Sequence, residues 1–436
     1  MDRTHNRKLA IVAPSAYLAG GVQTWLDYVV PGLAARGWSV TVLPVHGRSH
    51  YAPKYLELHP FDKVCLVPSN TGSREGRVRA LMRALQSTQP DLVLSVNIVD
   101  VYEAVARLRK KGLAGLRVAM ALHGFNGEFF QDMKTYNRVL DGVITTNRLG
   151  IAAAAAIGGV DESRIHYAPC GVEMSDLASF DLTGKTLTLL YAGRFDQREK
   201  HVLDLPKILE VLDKQRVPFR LRLAGAGPDE AELRSALSGF GERVEFLGQM
   251  DEQTLRTTFY EPGTILLITS PSESGPLVAW EAMSCGTVVV TSRYLGIGLE
   301  GSLRDEVNCL VFPVSDTDAA AAAIAKLQNM ELLARLARAG HELVRRKYGR
   351  EISINAWSHT LQKVLERSPQ ASVENPVRPM PAGRLDRWFG VALAETLRSA
   401  LRLKYRHMEP GGEWPHSYSR ADGQAFLERL HALDRA

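Results

Sequence analysis

The chain has 436 residues, of which 45% are hydrophobic and 23% charged, with a formal net charge of +5. This length exceeds one compact core and predicts two domains of ordinary globular composition, and the mild charge does not demand an anionic partner. The four cysteines form no CxxC pair and have no histidine at metal-ligand spacing, so we expect no disulfide framework or zinc site, and a reducing cytosol fits best.

The sequence shows neither a signal peptide nor a membrane-spanning helix. Residues 1–7 are polar and lead directly into an apolar run, so we expect no signal peptide. No apolar run reaches the roughly 18 residues that a membrane-spanning helix needs. The sequence therefore predicts a cytoplasmic protein.

The first half of the chain alternates predicted strands and helices. The apolar run 9–14 is followed by Gly20 and Gly21 at the turn into a helix, where absent side chains let the backbone approach a ligand. His123 directly follows the predicted strand 117–122, at the edge where open α/β sheets bind ligands. A plain tight turn and a structural histidine are the alternatives. Further strands are predicted at 40–43, 91–96, 141–146 and 164–169.

A second alternation begins after a polar stretch, 171–185, which we interpret as an inter-domain linker. The strand predicted at 187–193 ends in Gly193 and is followed by Arg194 and Lys200. The strand predicted at 219–224 ends in Gly225. Further strands are predicted at 244–248, 264–268, 288–290 and 310–313.

Residues 270–292 combine a loop, a helix and the next strand. Glu273 lies in the loop, Pro276 is predicted as the first helical residue, Glu281 lies on the helix and Gly286 ends it. Free amides at a helix N-terminus favour phosphate or sugar oxygens. Two carboxylates beside such an end suit a ligand with hydroxyls and phosphates, such as a sugar nucleotide. A surface loop before an ordinary amphipathic helix is the alternative.

The C-terminal part has a different composition. Residues 368–381 are rich in Pro, Ser and Val, as in linkers. Residues 384–407 mix apolar side chains with six basic and two acidic residues, a net charge of +4. A basic amphipathic helix of this kind is typical of contact with an anionic membrane. Docking on the protein's own surface is the alternative.

The spacing of Glu273 and Glu281 resembles the Glu-x7-Glu signature of retaining glycosyltransferases of family 4, also called group 1. The resemblance continues through 281–289 and includes, in the family's order, Gly20-Gly21, His123-Gly124, 169–172, Gly193-Arg194 with Lys200, and 225–228. It implies the α/β GT-B fold, in which two Rossmann-like doubly wound domains face each other across a cleft, here with a helical C-terminal extension. The predicted divisions are 1–172 (acceptor-side domain), 173–185 (linker), 186–345 (nucleotide-sugar-binding domain), 346–367 (a helix packing back on the body) and 368–436 (extension).

The same resemblance implies roles for individual residues. Arg194 and Lys200 would hold the donor's diphosphate, whose developing negative charge fixed cations stabilise. Glu273 and His123 would lie at the donor sugar, and Glu281 would bind the ribose hydroxyls. Because Pro276 has no N–H, the amides of Leu277 and Val278 are the expected donors to the ligand. The predicted binding residues are Gly20, Gly21, Gly193, Gly225, Gly275, Leu277, Val278 and Glu281, and the predicted catalytic residues are Glu273, His123, Arg194 and Lys200.

The predicted function is metal-independent, retaining transfer of a sugar from a nucleotide-diphosphate sugar, with no cofactor, to a glycan or lipid-linked acceptor. Bacterial cell-surface polysaccharide or lipopolysaccharide assembly is the expected setting, with peripheral membrane contact through 384–407 and no nucleic-acid partner. No side chain is an obvious covalent nucleophile, so front-face attack with the leaving phosphate as base is the preferred hypothesis. The alternatives are a sugar-nucleotide epimerase on the same fold and an inactive glycan-binding relative.

Overall fold

The computed structural model describes residues 7–16, 20–48, 50–176, 186–370, 383–404 and 414–435. Three sequence-based predictions fall partly outside these ranges. The end of the predicted linker, 177–185, most of the linker-like stretch 368–381, and the end of the predicted helix 384–407 all lie outside the described residues.

The chain divides into two compact domains. The first domain comprises Met1–Thr146, Gly150–Ala168 and Ile354–Arg429, and the second comprises Asn147–Leu149, Pro169–Ser353 and Leu430–Ala436. Each is built on one parallel sheet, as expected when strands alternate with helices along the sequence.

The first domain contains a seven-stranded parallel sheet of order β3-β2-β1-β4-β5-β6-β7. Its strands are apolar runs because both faces of the sheet are covered, and every residue of β4 is buried. The strands are β1 (Arg7–Ala13), β2 (Trp38–His46), β3 (Val67–Pro68), β4 (Leu92–Val96), β5 (Arg117–Leu122), β6 (Gly142–Thr145) and β7 (Ile165–Tyr167). The helices are α1 (Gly21–Ala34), α2 (Ala52–Leu58), α3 (Arg74–Thr88), α4 (Asp100–Lys110), α5 (Gly127–Tyr136) and α6 (Arg148–Ala156), with a 3-10 turn at Glu162–Arg164.

The second domain contains a six-stranded parallel sheet of order β10-β9-β8-β11-β12-β13. The strands are β8 (Leu187–Ala192), β9 (Phe219–Ala224), β10 (Val244–Gly248), β11 (Ile265–Ile268), β12 (Val288–Ser292) and β13 (Leu310–Phe312). The helices are α7 (Gln197–Lys200), α8 (Asp204–Lys214), α9 (Glu230–Leu237), α10 (Glu252–Thr254), α11 (Leu277–Ser284), α12 (Ile297–Glu300), α13 (Thr317–Lys326) and α14 (Met330–Lys347), with short 3-10 and π-helical segments at Ser238–Arg243 and Leu255–Phe259.

Three helices follow the second sheet: α15 (Arg350–Glu366), α16 (Arg384–Ala400) and α17 (Gly423–Arg435). The prediction of two doubly wound α/β domains with a helical C-terminal extension is confirmed. The single helix predicted over 384–407 is wrong in detail. The α16 segment ends at Ala400 and is broken at Gly390, whose φ of 73° is not helical.

Both sheets reverse their strand order at one place, between β1 and β4 in the first domain and between β8 and β11 in the second. Loops that leave neighbouring strands in opposite directions open a crevice at such a point, and ligands of open α/β sheets bind there. In the second domain, the loops after β8 and β11 carry Gly193 to Lys200 and Thr269 to Pro276 respectively.

Candidate functional site

The glycine turns after β8 and β9 pack against each other. The Gly193 N–H donates to Ala224 O at 3.0 Å, and a Cβ on Gly225 would lie only 1.9 Å from Gly193 O. Both glycines have φ near +150°, a region that side chains rarely adopt. The two turns therefore require glycine for their own close approach, whatever else they bind.

Lys200 and Glu273 meet at the strand-order reversal of the second domain. Lys200 ends the short helix α7, which Asp196 caps by accepting from the Arg198 and Glu199 amides. Its Nζ lies 2.6 Å from Glu273 Oε1, and the Lys200 carbonyl accepts a hydrogen bond from Thr269 Oγ1 at 2.7 Å. The ion pair thus joins the loops after β8 and β11, and its side chains keep part of their surface exposed, 28% and 14%.

Arg194 is more exposed than Lys200 and pairs with a different carboxylate. Its side chain is 53% exposed, and its Nη1 pairs with Glu199 Oε2 at 3.1 Å. The structure therefore places Lys200 against Glu273 while Arg194 pairs on the outside of the same loop. Their predicted joint role in holding a diphosphate stays a prediction.

Hydrogen bonds to the end of β12 and to the residues that follow it hold the loop between β11 and α11. Glu273 N donates to Leu295 O at 3.1 Å, and Ser292 Oγ donates to Ser270 O at 2.5 Å. Gly275 has a φ of 141°, which allows the chain to turn into the helix.

The structure corrects the predicted start of this helix, because Pro276 is its N-cap and α11 begins at Leu277. Pro276 O accepts from the amides of Ala279 and Trp280. The earlier N–H groups, those of Leu277 and Val278, belong to the set that has no intrahelical acceptor in any α-helix. Their predicted donation to an anion or a sugar oxygen stays a prediction.

Glu281 lies on α11 with 8% of its surface exposed. The pKa of its carboxyl is raised to about 8, chiefly by burial and also by the nearby Glu252 carboxylate, while Arg350 and a hydrogen bond from Tyr260 lower it. The group is therefore protonated in most molecules at neutral pH. A ligand that donates hydroxyl hydrogens to this carboxyl would favour its ionised form.

Sequence reasoning missed the residues that surround Glu281. Arg350, the first residue of α15, pairs with Glu252 and, at 3.0 Å, with Glu173. Tyr260 follows the π-helical segment and is 3% exposed. These residues carry no motif or spacing that links them to Glu281, so only the fold reveals the group.

The predicted residues of the first domain lie at the ends of β1 and β5. Gly20 has a φ of 148° and accepts from Thr24 N at 3.1 Å, and Gly21 is the first residue of α1. The His123 ring packs against Trp25, at 4.6 Å between centroids, and against Trp357, at 5.9 Å with planes 12° apart. Burial lowers the pKa of His123 to about 4, so its imidazole is neutral at physiological pH.

Within the described part of the chain, no group of three or more His, Cys, Asp and Glu side chains is arranged to hold a metal ion. Likewise, none of the described helices is both long and apolar enough to cross a bilayer.

Two family models match the two halves of the chain. Residues 19–176 match the model described as Glycosyltransferase Family 4, and residues 186–330 match Glycosyl transferases group 1. A phosphatidyl-myo-inositol mannosyltransferase of Mycobacterium leprae is 35% identical over 204 residues, which are 45% of this chain and 50% of that protein. A lipopolysaccharide 1,6-galactosyltransferase of Escherichia coli is 27% identical over 56% of this chain and 67% of its own length. The chain spans about half the length of the first curated relatives it matches.

The fold has many solved counterparts. The Anabaena protein HepE, solved in complex with UDP and glucose, superposes with a TM-score of 0.65 at 16% identity, over 82% of this chain and 99% of that one. This level of identity establishes a shared fold alone. The family matches and the shared fold both indicate glycosyltransferases as the proteins that this chain resembles.

Proposed function

We propose that this GT-B chain transfers a sugar from a nucleoside-diphosphate sugar to a glycan or lipid-linked acceptor, with retention of anomeric configuration. The observation that carries the proposal is the Lys200–Glu273 ion pair at the strand-order reversal of the second domain. A cation fixed there can stabilise the charge of a departing nucleoside diphosphate, and the adjoining carboxylate can accept from a sugar hydroxyl.

The beginning of α11 supplies the remaining donors and acceptors. In this proposal the amides of Leu277 and Val278 donate to phosphate or sugar oxygens, and the buried Glu281 carboxyl, one helical turn further on, accepts from ribose hydroxyls. In this proposal fixed cations and amides perform the stabilisation that a divalent metal performs in other enzymes. We therefore expect activity to persist in EDTA.

The relatives indicate the class of acceptor. Their names describe transfer to phosphatidyl-myo-inositol in mycobacteria and within lipopolysaccharide in Escherichia coli. By analogy we propose a glycolipid or cell-surface polysaccharide acceptor on the cytoplasmic side of a bacterial membrane. Front-face attack, with the leaving phosphate taking the acceptor proton, is the proposed route to retention.

The decisive experiment incubates the protein with a panel of UDP- and GDP-sugars, with and without lipid extracts as acceptor. Transfer or slow hydrolysis with release of the nucleoside diphosphate is expected, and NMR of the product should show the donor's anomeric configuration. Recovery of an epimerised donor would establish the epimerase alternative, and no turnover of any donor would favour the inactive glycan-binding one. A trapped glycosyl adduct on Glu273 would overturn front-face attack.

The site assignment has its own test in Lys200→Met. This variant should bind the nucleoside diphosphate at least about tenfold more weakly, because one ionic contact to phosphate is lost, while binding of the uncharged nucleoside should be unchanged. Arg243→Met is the matched control, since Arg243 is a 40% exposed basic residue of the same domain that pairs with Asp213. Equal weakening in both variants would contradict the assignment.

A further inference from the structure

Helix α16 buries three charged side chains, and one of them, Glu395, holds it against the rest of the first domain. Asp386, Glu395 and Arg398 are all at most 5% exposed. Arg398 Nη2 donates to Asp386 Oδ1 at 2.5 Å. Glu395 accepts from Thr71 Oγ1 at 2.7 Å and from Ser73 Oγ at 2.5 Å, next to the start of α3.

Five large apolar side chains of the same segment are exposed. This is the reverse of the usual arrangement, in which a surface helix buries its apolar stripe against its own domain. A contiguous group of exposed large apolar residues marks an interaction surface rather than ordinary surface composition. The exposed fractions are 74% for Trp388, 50% for Phe389, 51% for Leu393, 65% for Leu401 and 44% for Leu403.

The charges left on this surface are all positive. Both acidic residues of 383–404 are buried, Asp386 against Arg398 and Glu395 against Thr71 and Ser73, whereas Arg384, Arg387, Arg402 and Lys404 are exposed. The net positive charge expected from the sequence is thus concentrated beside the exposed apolar side chains. Tryptophan and leucine next to unpaired basic residues suit the boundary between lipid headgroups and acyl chains of an anionic bilayer.

We propose that 384–404 is a docking surface for an anionic lipid bilayer. Trp388, Phe389 and Leu393 insert at the headgroup boundary, and the four exposed basic residues contact lipid phosphates. The buried contacts of Glu395 with Thr71 and Ser73 keep the segment oriented with these side chains outward. This inference does not depend on glycosyl transfer, because it rests on the exposure and charge of a segment outside the candidate site.

Trp388 is a built-in reporter for the test. The other five tryptophans of the chain are at most 3% exposed, so a change in emission on adding vesicles reports on Trp388. With vesicles of equal parts phosphatidylglycerol and phosphatidylcholine, we expect a blue shift and protection from acrylamide. Pure phosphatidylcholine should give a much smaller effect. In Trp388→Phe the spectral change should vanish while co-sedimentation with the vesicles persists.

Two further variants separate the two contributions to binding. A Trp388→Ser/Phe389→Ser variant and an Arg384→Gln/Arg387→Gln variant should each lower vesicle partitioning by about tenfold or more. Leu58→Ser is the control, because Leu58 is 58% exposed on α2 of the same domain and should not change partitioning. Circular dichroism and the melting temperature show whether each variant folds.

Each other outcome overturns the proposal. A blue shift that appears with rising protein concentration and without vesicles would assign the surface to a second copy of the chain. Partitioning that both double variants retain would place membrane contact elsewhere. The absence of any spectral change or co-sedimentation with anionic vesicles would remove the bilayer as the partner.

Discussion

The Glu281 carboxyl is buried and is also predicted to bind hydroxyls. Burial favours its protonated form, whereas a ligand that donates hydroxyl hydrogens favours its ionised form. Its pKa of about 8 means that a ligand favouring the ionised carboxylate must displace a proton at neutral pH. Affinity for a nucleotide sugar should therefore rise with pH, by up to about tenfold per pH unit between roughly 6 and 8. Titration calorimetry in two buffers of different ionisation enthalpy should detect the proton released on binding.

The matched variant for this measurement is Glu281→Gln, which keeps the shape of the side chain and removes its titration. Its affinity should be lower and nearly independent of pH in the same range. If the native protein and this variant had the same pH slope, another group would be responsible and Glu281 would not contact the ligand.

The same carboxyl should also affect stability without any ligand. Because its pKa is higher in the folded chain than the ordinary value of 4.5, the folded state holds the proton more tightly. Its contribution to the free energy of unfolding is therefore lost as pH rises from about 4.5 to about 8, with a ceiling of about 5 kcal/mol. Urea unfolding should be measured at pH 5 and pH 8.5. The free energy of unfolding of the Glu281→Gln variant, relative to that of the native protein, should be higher at pH 8.5 than at pH 5. An unchanged difference would contradict the raised pKa.

At the scale of elements, the turns after β8 and β9 depend on the contact between Gly193 and Gly225. Gly225→Ala places a methyl group 1.9 Å from a carbonyl oxygen at a φ of 147°, and we expect a cost of about 2–4 kcal/mol in the free energy of unfolding. The control is Gly239→Ala, because a Cβ there meets nothing within 4 Å, and its cost should stay below about 1 kcal/mol. Similar denaturation midpoints for both variants would show that the turns can separate cheaply.

The positions of the buried strands are what the sequence predicts best, for a physical reason. Parallel strands covered on both faces appear as short apolar runs, so β4, β5 and β11 are visible without coordinates. The strand β3 is not, because two residues, one of them proline, carry no pattern. The orientation of α16 is equally hidden, since an amphipathic pattern predicts an apolar inner face and this helix buries Asp386, Glu395 and Arg398 instead.

The sequence shows residues that share a motif but not those that meet only in space. The Glu273 and Glu281 spacing is visible in one stretch, whereas the contact between Lys200 and Glu273 appears only in the structure, where two loops leave neighbouring strands. Arg350 lies 69 positions beyond Glu281, and no pattern joins them. Its effect on the pKa of Glu281 emerges only in the folded chain, where the start of α15 lies near that carboxyl.

At the scale of the whole molecule, we expect a nucleoside diphosphate to protect mainly one of the two domains from amide hydrogen exchange. Lys200, Glu273 and Glu281 all belong to the second domain, so UDP or GDP should slow amide hydrogen exchange most in peptides covering 193–200 and 270–284. The strands of the first domain should exchange at nearly unchanged rates, with any smaller protection near Gly20 and Gly21. In Lys200→Met the protection at 270–284 should shrink at the same ligand concentration. Protection confined to the first domain would place the nucleotide away from the Lys200–Glu273 pair and would require a different site.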